Sequence, residues 1–219
     1  MRKEHLKREM YRYLGYRGQT PAAEVEREAV QCLEALLAET EPKTVWRRYP
    51  LEFPGPGFIR IEGMEIRSEA LCRNLQGCRE VFLMAATLGM APDRMTARAQ
   101  AAGKMSRAVM LQAAAAALIE EVCDDLNREL AVLAEQEGKS LRPRFSPGYG
   151  DFRLEHQREL FRILEVQKRI GVTLTEHLLM MPSKSVTAVI GIAEDGTGTE
   201  TEYKNCGTCG MKDCAFRAL

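Results

Sequence analysis

A short segment rich in arginine, proline and glycine, RFSPGYG, carries the clearest potential for binding a ligand. Arg144 provides a planar fork of hydrogen-bond donors suited to a carboxylate. Gly148 permits close approach of the backbone to a ligand, and Tyr149 offers a flat face for stacking on a base. A ligand with a carboxylate and an adenine would use all three. The alternative is an ordinary proline-glycine turn, with Arg144 on a surface acid and Tyr149 in the core.

Three of the seven cysteines are crowded into the C-terminal stretch NCGTCGMKDCAFR. Cys206, Cys209 and Cys214 form a C-x2-C-x4-C pattern, and three soft ligands this close suit an iron-sulfur cluster or zinc. The fourth ligand would be Cys72, Cys78 or a residue of a second chain, unless the site is open. A redox dithiol and inert thiols are the alternatives.

The sequence motifs of common enzymes are absent from the chain. It contains no GxxxxGK[ST] phosphate loop, no GxGxxG after a strand, no HExxH and no GxSxG. Histidine catalysis has only His5, His156 and His177 as candidates, and His156 and His177 are each better explained as structural or solvated. The sequence therefore predicts no catalytic residue.

Composition and charge narrow the class of protein further. The 219 residues include 31 lysines and arginines and 31 aspartates and glutamates, so no net field attracts nucleic acid or an anionic membrane. The N-terminus is charged and lacks the apolar core of a signal peptide, and no apolar run is long enough to span a bilayer. We expect a cytoplasmic protein that binds neither nucleic acid nor membranes.

Periodicity and breakers along the chain predict both helices and strands. The expected elements are a helix over 20–38 capped by Thr20, two strands within 44–66 separated by PGPG, a short helix over 69–76 capped by Ser68, a doubly buried strand over 81–89, a helix beginning at Pro92, a long helix over 104–137, a helix over 154–169 stopped by Gly171, a short helix before a bend at Pro182, and a hairpin turning at DGTG.

The irregular mixture of these elements predicts an α+β fold, with a mixed or antiparallel twisted sheet flanked by helices. We expect one domain over 1–204, followed by a cysteine-rich tail over 205–219.

Two faces of the long helix are informative. One is an apolar stripe, made of Leu111, Leu118, Val122, Leu126, Leu130 and Leu133. The other carries Ala113, Ala116 and Ala117 and ends near Glu120; it either admits a ligand or another backbone, or merely favours helix formation beside a solvated Glu120.

Several fixed spacings agree in order with a known family. The pattern R-x-x-x-G-Y from Arg144 to Tyr149, a following helix, and the stretch LEVQKRIGVTLTEHLLMMPSKSV resemble the S-adenosylmethionine-binding activation domain of cobalamin-dependent methionine synthase. The run RFSPGYGDF with PSKSVTAVIGI resembles more closely the stand-alone bacterial relatives of this domain. The resemblance covers about 140–190 well and the long helix loosely.

The resemblance implies roles for four residues of the loop. Arg144 would pair with the methionyl carboxylate of S-adenosylmethionine. Ser146 and Gly148 would present backbone groups to this cofactor, and Tyr149 would complete the loop.

The resemblance also implies an acid on the long helix, near the sulfonium or amino group of the cofactor. Glu120 fits this role best, with Glu121 and Asp124 as alternatives. An aspartate near the N-terminus of the family has no clear match in this chain. Tyr203 is a candidate for an aromatic residue of the family's C-terminal part.

The implied function is methyl donation to cobalamin after its reduction. The family's cobalamin carriers use an Asp-x-His-x-x-Gly motif, which this sequence lacks. The resemblance therefore implies a detached reactivation subunit that serves a cobalamin-bearing methyltransferase, with a flavodoxin-like or ferredoxin-like electron donor as a further partner. The competing interpretations are a cysteine-ligated iron-sulfur or zinc module for electron transfer or sensing, and a partner-binding scaffold without a cofactor.

Overall fold

The computed structural model describes residues 2–194, and an antiparallel sheet lies at its centre. Its members are β1 (Lys43–Pro50), β5 (Cys78–Thr87), β6 (Ser140–Leu141) and β9 (Ser185–Ala193). They lie in the order β1-β5-β9-β6. The two central strands are nearly continuous apolar runs because both of their faces are buried. The buried strand predicted over 81–89 is thus confirmed, beginning three residues earlier.

Four helices cover one face of this sheet. They are α1 (Arg2–Tyr13), α2 (Ala23–Glu39), α4 (Ala91–Ala101) and α5 (Met105–Glu135). Together with the sheet they enclose the larger hydrophobic core, which we call the helical core. The long helix is confirmed, but Leu133 is not part of its buried apolar stripe. Leu133 is 40% exposed, since the helical period carries the buried face to Ala134 instead.

A second layer covers the opposite face and encloses the strand-side core. It contains a three-stranded antiparallel sheet and three short helices, with a 3-10 turn at Leu154–His156. The members are β2 (Glu52–Gly55), β3 (Phe58–Ile61), β4 (Met64–Arg67), α3 (Glu69–Asn74), α6 (Gln157–Leu164) and α7 (Val166–Ile170). Ser68 caps α3 as predicted, because its side chain accepts a hydrogen bond from the Leu71 N–H.

Two predictions for the N-terminal half are wrong in detail. The helix predicted over 20–38 is α2, which begins at Ala23 and has Ala22 as its cap, so Thr20 does not cap it. Residues 44–66 form four strands rather than two. There are two additional breaks. One is at Leu51, between β1 and β2. The other is a tight turn at Glu62 and Gly63, which both have positive φ, and it lies inside an alternating apolar pattern that conceals it.

The C-terminal half also departs from the prediction. The helix expected over 154–169 is divided, because Glu165 adopts a left-handed conformation with φ of 51° between α6 and α7. The short helix expected before Pro182 is instead a small hairpin, β7 (Thr173–Leu174) and β8 (Met180–Met181). Its turn is closed by hydrogen bonds between Thr175 and Leu179, which hold the chain out of a helix.

Several predictions concern residues outside the described range. The DGTG hairpin, Tyr203 and the cysteine-rich tail all lie beyond Glu194. The division into a domain over 1–204 and a tail over 205–219 therefore remains a prediction. Within residues 2–194, no helix has the length and apolar character required to cross a membrane.

A charge network closes one end of the central sheet. Arg48 on β1 pairs with Glu80 on β5 at 2.5 Å and with Glu137 after α5. Lys139 lies 2.8 Å from Glu80 and 3.2 Å from Glu137. Hydrogen bonds from Arg48 and Lys139 lower the pKa of both carboxyl groups, that of Glu137 to about 2. The network thus connects β1, β5 and the segment after α5.

Because of this network, the stability of the folded protein should depend on pH. Carboxyl groups with a lowered folded-state pKa stabilise the protein fully above their ordinary value of 4.5, and lose this effect as pH falls toward 2. We expect the unfolding free energy of the wild-type protein to approach that of an E80Q/E137Q variant over this range. Urea denaturation at a series of pH values measures the difference. A difference that is the same at pH 7 and pH 2.5 would contradict the prediction.

Candidate functional site

The Arg144 segment is held in place along the edge of β9. The Arg142 N–H donates to the Gly191 carbonyl at 2.8 Å, and Phe145 and Val189 exchange two backbone hydrogen bonds of 2.9 Å. Extended backbone sends consecutive side chains to opposite faces. Phe145 accordingly packs on the strand-side core, whereas Arg144 reaches the helical side.

The close approach at this edge requires glycine at position 191. A Cβ atom there would lie 2.7 Å from both Cys78 Sγ and Leu75 Cδ2, and 3.1 Å from Arg142 Cγ. Such distances are far inside van der Waals contact, so a larger residue would displace the neighbouring strand or segment. The absence of a side chain at Gly191 therefore helps to fix the position of the segment that leads from Arg142 to Arg144.

Two acids of α5 receive the Arg144 guanidinium. Arg144 Nη1 donates to Asp124 Oδ1 at 2.7 Å, and Nη2 donates to Glu120 Oε2 at 3.2 Å. The acids are four residues apart and so share one helix face. The side chain of Arg144 is 12% exposed, compared with 23% for Asp124 and 50% for Glu120. Glu120 is therefore the member of the group most accessible to a ligand.

Burial raises the pKa of Glu120 and of Asp124, and the nearby Arg144 guanidinium opposes this rise. Cys123 lies between the two acids in the sequence and is fully buried; burial raises the pKa of its thiol to about 12. The thiol is thus neutral at physiological pH and unsuited to act as a nucleophile. Arg144 therefore faces two acids at once, and Arg12 near Glu120 and Arg128 near Asp124 also favour their ionised forms.

The remaining acid alternative on α5 has different contacts. Glu121 lies 3.6 Å from His5 Nε2 and 3.6 Å from Arg128, and its side chain is 11% exposed. Ala113 and Ala117 are buried in the helical core, where small side chains let neighbouring helices pack closely on α5. Glu120 itself is half exposed and bonded to Arg144, so it is not simply solvated.

A turn that contains Gly148 and Tyr149, which we call the glycine-tyrosine turn, follows Phe145. Gly148 has φ of 95°, which favours glycine, and its N–H donates to the Phe152 carbonyl at 2.7 Å. The Tyr149 N–H donates to the Ser146 carbonyl at 3.1 Å. The Tyr149 side chain is 66% exposed, so the alternative that places it in the core is wrong. Arg144 on an acid, the other half of that alternative, is what the structure contains.

The structure therefore brings together Arg144, Glu120 and Asp124, and places Ser146, Gly148 and Tyr149 in the adjoining turn. Sequence reasoning ranked Asp124 only as an alternative, although its spacing from Glu120 indicated a shared helix face. It missed Asp151 altogether, whose carboxylate contacts the beginning of α3.

No metal centre is found in the part of the chain that the structure describes, where no three histidine, cysteine or acidic side chains are grouped to bind an ion. Cys78 is 4% exposed in the strand-side core, and Cys72 is half-buried against the same core. Burial raises the pKa of the Cys72 thiol. The predicted ligands Cys206, Cys209 and Cys214 lie outside the described residues.

Comparisons with known proteins identify the fold and the family of this chain. The family model described as vitamin B12 dependent methionine synthase, activation domain, matches residues 74–215, which include α5, the Arg144 loop and β9. The crystal structure of the MetH reactivation domain bound to AdoHcy has a TM-score of 0.64 to this chain at 18% identity, covering 86% of this chain and 75% of that one. No curated protein shows a significant match. The similarity confirms the α+β fold with its antiparallel sheet, and the chain belongs to the family of activation domains of vitamin B12-dependent methionine synthase.

Proposed function

We propose that this chain binds S-adenosylmethionine at the Arg144 site and supports reductive methylation of cobalamin carried by a separate protein. The observation that carries the proposal is the Arg144 guanidinium, fixed between the edge of β9 and two acids of α5, with the glycine-tyrosine turn beside it. The AdoHcy-bound domain of similar fold supports the choice of ligand. When bound, S-adenosylmethionine would supply the methyl group of its sulfonium.

The charges of the site suit this ligand. Arg144, Glu120 and Asp124 together carry a net charge of about −1 when ionised, and Arg12 and Arg128 act on the two acids from further away. S-adenosylmethionine carries a carboxylate, an ammonium group and a sulfonium, so its net charge is positive. In our proposal Arg144 binds the carboxylate and keeps its shorter bond to Asp124. Glu120, more exposed and more weakly bonded, turns to the ammonium or sulfonium group.

The neighbouring turn completes the binding site in this proposal. Ser146 and Gly148 present backbone groups to the ligand, and the exposed ring of Tyr149 contacts its adenosine. Transfer of a methyl group from sulfur to a reduced corrinoid neither consumes nor releases a proton. The work of this chain is therefore binding and orientation, which explains why it needs no general acid or base.

The partner in this proposal is a cobalamin-bearing methionine synthase or methyltransferase, since these 219 residues contain no Asp-x-His-x-x-Gly motif. The chain would act as a stand-alone cytoplasmic subunit. Reduction of the cobalamin would come from a flavodoxin-like or ferredoxin-like electron donor.

A second candidate function rests on the C-x2-C-x4-C pattern of Cys206, Cys209 and Cys214. These thiolates would bind an iron-sulfur cluster or zinc for electron transfer or sensing, with a redox dithiol as the alternative. Metal and sulfide analysis after anaerobic purification tests this, with a C206S/C209S variant as the control. Absence of both metal and sulfide would exclude the metal centre.

Calorimetry tests the principal proposal. We expect purified protein to bind S-adenosylmethionine with a stoichiometry near one. Addition of the protein, this ligand and a reductant to a cob(II)alamin-loaded methyltransferase should then produce the absorbance spectrum of methylcobalamin. No heat of binding, together with an unchanged cobalamin spectrum, would refute the proposal.

A further inference from the structure

One carboxylate connects the downstream end of the Arg144–Tyr149 loop to the beginning of α3. Asp151 Oδ1 accepts hydrogen bonds from Ser68 Oγ at 2.5 Å and from the Ala70 N–H at 3.1 Å, and Oδ2 accepts from the Glu69 N–H at 2.8 Å. These bonds lower the pKa of Asp151, and the bond from Ser68 is the largest cause. The group is therefore ionised at neutral pH and receives three donors at once.

Ser68 makes this connection part of the helix cap. Its Oγ accepts from the Leu71 N–H at 3.0 Å while its hydroxyl donates to Asp151. The first N–H groups of a helix have no carbonyl partner within it, and here two side chains satisfy three of them. Ser68 is 1% exposed, so the shared hydroxyl is shielded from competing water. Asp151 belongs to the cap of α3 as much as to the loop.

The loop backbone lies directly on the first turn of α3. A Cβ atom at Gly150 would be 3.0 Å from the Cβ of Ala70. The two ends of the loop are therefore fixed to different elements: Phe145 to β9 by two backbone bonds, and Asp151 to α3. The turn with Tyr149 lies between these two anchors.

We propose that Asp151 is a positioning residue for ligand binding, because its bonds to α3 fix the turn that carries Gly148 and Tyr149. The inference rests on the proposed function, since the ligand is S-adenosylmethionine. Asp151 acts through the turn and contacts no ligand atom. Its loss leaves Arg144 held by β9 and the two acids, while the turn gains conformational freedom that binding must then remove.

The first test measures S-adenosylmethionine affinity by calorimetry. We expect Asp151→Ala to weaken binding about tenfold, and Asp151→Asn, which keeps one acceptor oxygen, to weaken it less. Asp93→Ala is a matched control, because Asp93 accepts from the N–H of Ser183 at 2.8 Å and from its hydroxyl at 2.5 Å, but it lies on α4 and connects that helix to the segment before β9 rather than to the loop. This control should bind within about twofold of the wild type.

A double-mutant cycle with Tyr149→Ala separates positioning from general destabilisation. If Asp151 acts through the turn, the double variant loses no more affinity than the more strongly affected single variant. Additive losses, or equal affinity of Asp151→Ala and Asp93→Ala, would overturn the inference while leaving the proposed function intact. Failure of the wild-type protein to bind would overturn both. If Asp151→Ala does not fold, Asp151→Asn takes its place in the cycle.

Discussion

Replacing Arg144 by alanine is expected to weaken S-adenosylmethionine binding about 30-fold or more, a loss of about 2–5 kcal/mol. The variant removes the cation that is hydrogen-bonded to both Glu120 and Asp124, and with it the proposed partner of the ligand carboxylate. Both carboxyl groups already have a pKa raised by burial. Without Arg144 they would also repel an incoming carboxylate. Calorimetric titration of the purified variant measures the effect.

Arg60→Ala is the matched control for this experiment. Arg60 also bridges two carboxylates, Glu52 at 3.2 Å and Glu65 at 2.7 Å, but it lies on the small sheet and is more exposed. We expect this variant to bind with wild-type affinity. Equal affinities for Arg144→Ala and Arg60→Ala would show that Arg144 makes no contact with the ligand. Arg144→Lys should recover only part of the loss, since an ammonium group lacks the planar fork.

The second large effect is expected at Phe152. Its replacement by alanine should lower the unfolding free energy of the protein by about 3–5 kcal/mol. Its ring is 1% exposed and lies against Phe145 and His156, at centroid distances of 6.4 and 5.6 Å. Its backbone also bonds to Gly148 and Tyr149. The substitution leaves a cavity beneath the loop that carries the proposed site. Urea denaturation measures the loss.

Phe53 provides the comparison for this variant, because its side chain is 45% exposed on β2. Phe53→Ala should change the unfolding free energy by no more than about 0.5 kcal/mol. Similar losses for both phenylalanines would mean that Phe152 does not support the loop as its burial indicates. If Phe152→Ala fails to fold, Phe152→Leu, which leaves a smaller cavity, gives the same comparison.

Local signals explain which parts of the fold could be predicted from the sequence. The strand beginning at Cys78 and the long helix from Met105 are continuous patterns with clear ends. The cap at Ser68 depends on residues three positions apart. The Arg144 loop was also evident, because its proline and glycine residues restrict the backbone locally. In each case the determining information lies within a few neighbouring residues.

The remaining features depend on contacts between distant parts of the chain. Asp151 and Ser68 are 83 positions apart, and no local pattern indicates that they meet. Arg144 and Asp124 are 20 positions apart, and their pairing depends on how β9 places the loop beside α5. Glu165 ends α6 in a left-handed conformation that a sequence pattern would assign to glycine. Tertiary packing decides these cases, so periodicity could not reveal them.

The pairing of this segment with β9 contains one extra residue. Ser140 and Leu141 lie opposite Ala193 and Ile192, so a regular ladder would bring residue 144 opposite Val189, yet Phe145 lies there. The irregularity lets Leu141 face the helical core while Phe145, four residues later, packs on the strand-side core. Because the face of each side chain is set by its partner on β9, loss of the extra residue would leave the Phe145 ring on its present side, and the connection can shorten by one residue without exchanging the sides of arginine and phenylalanine.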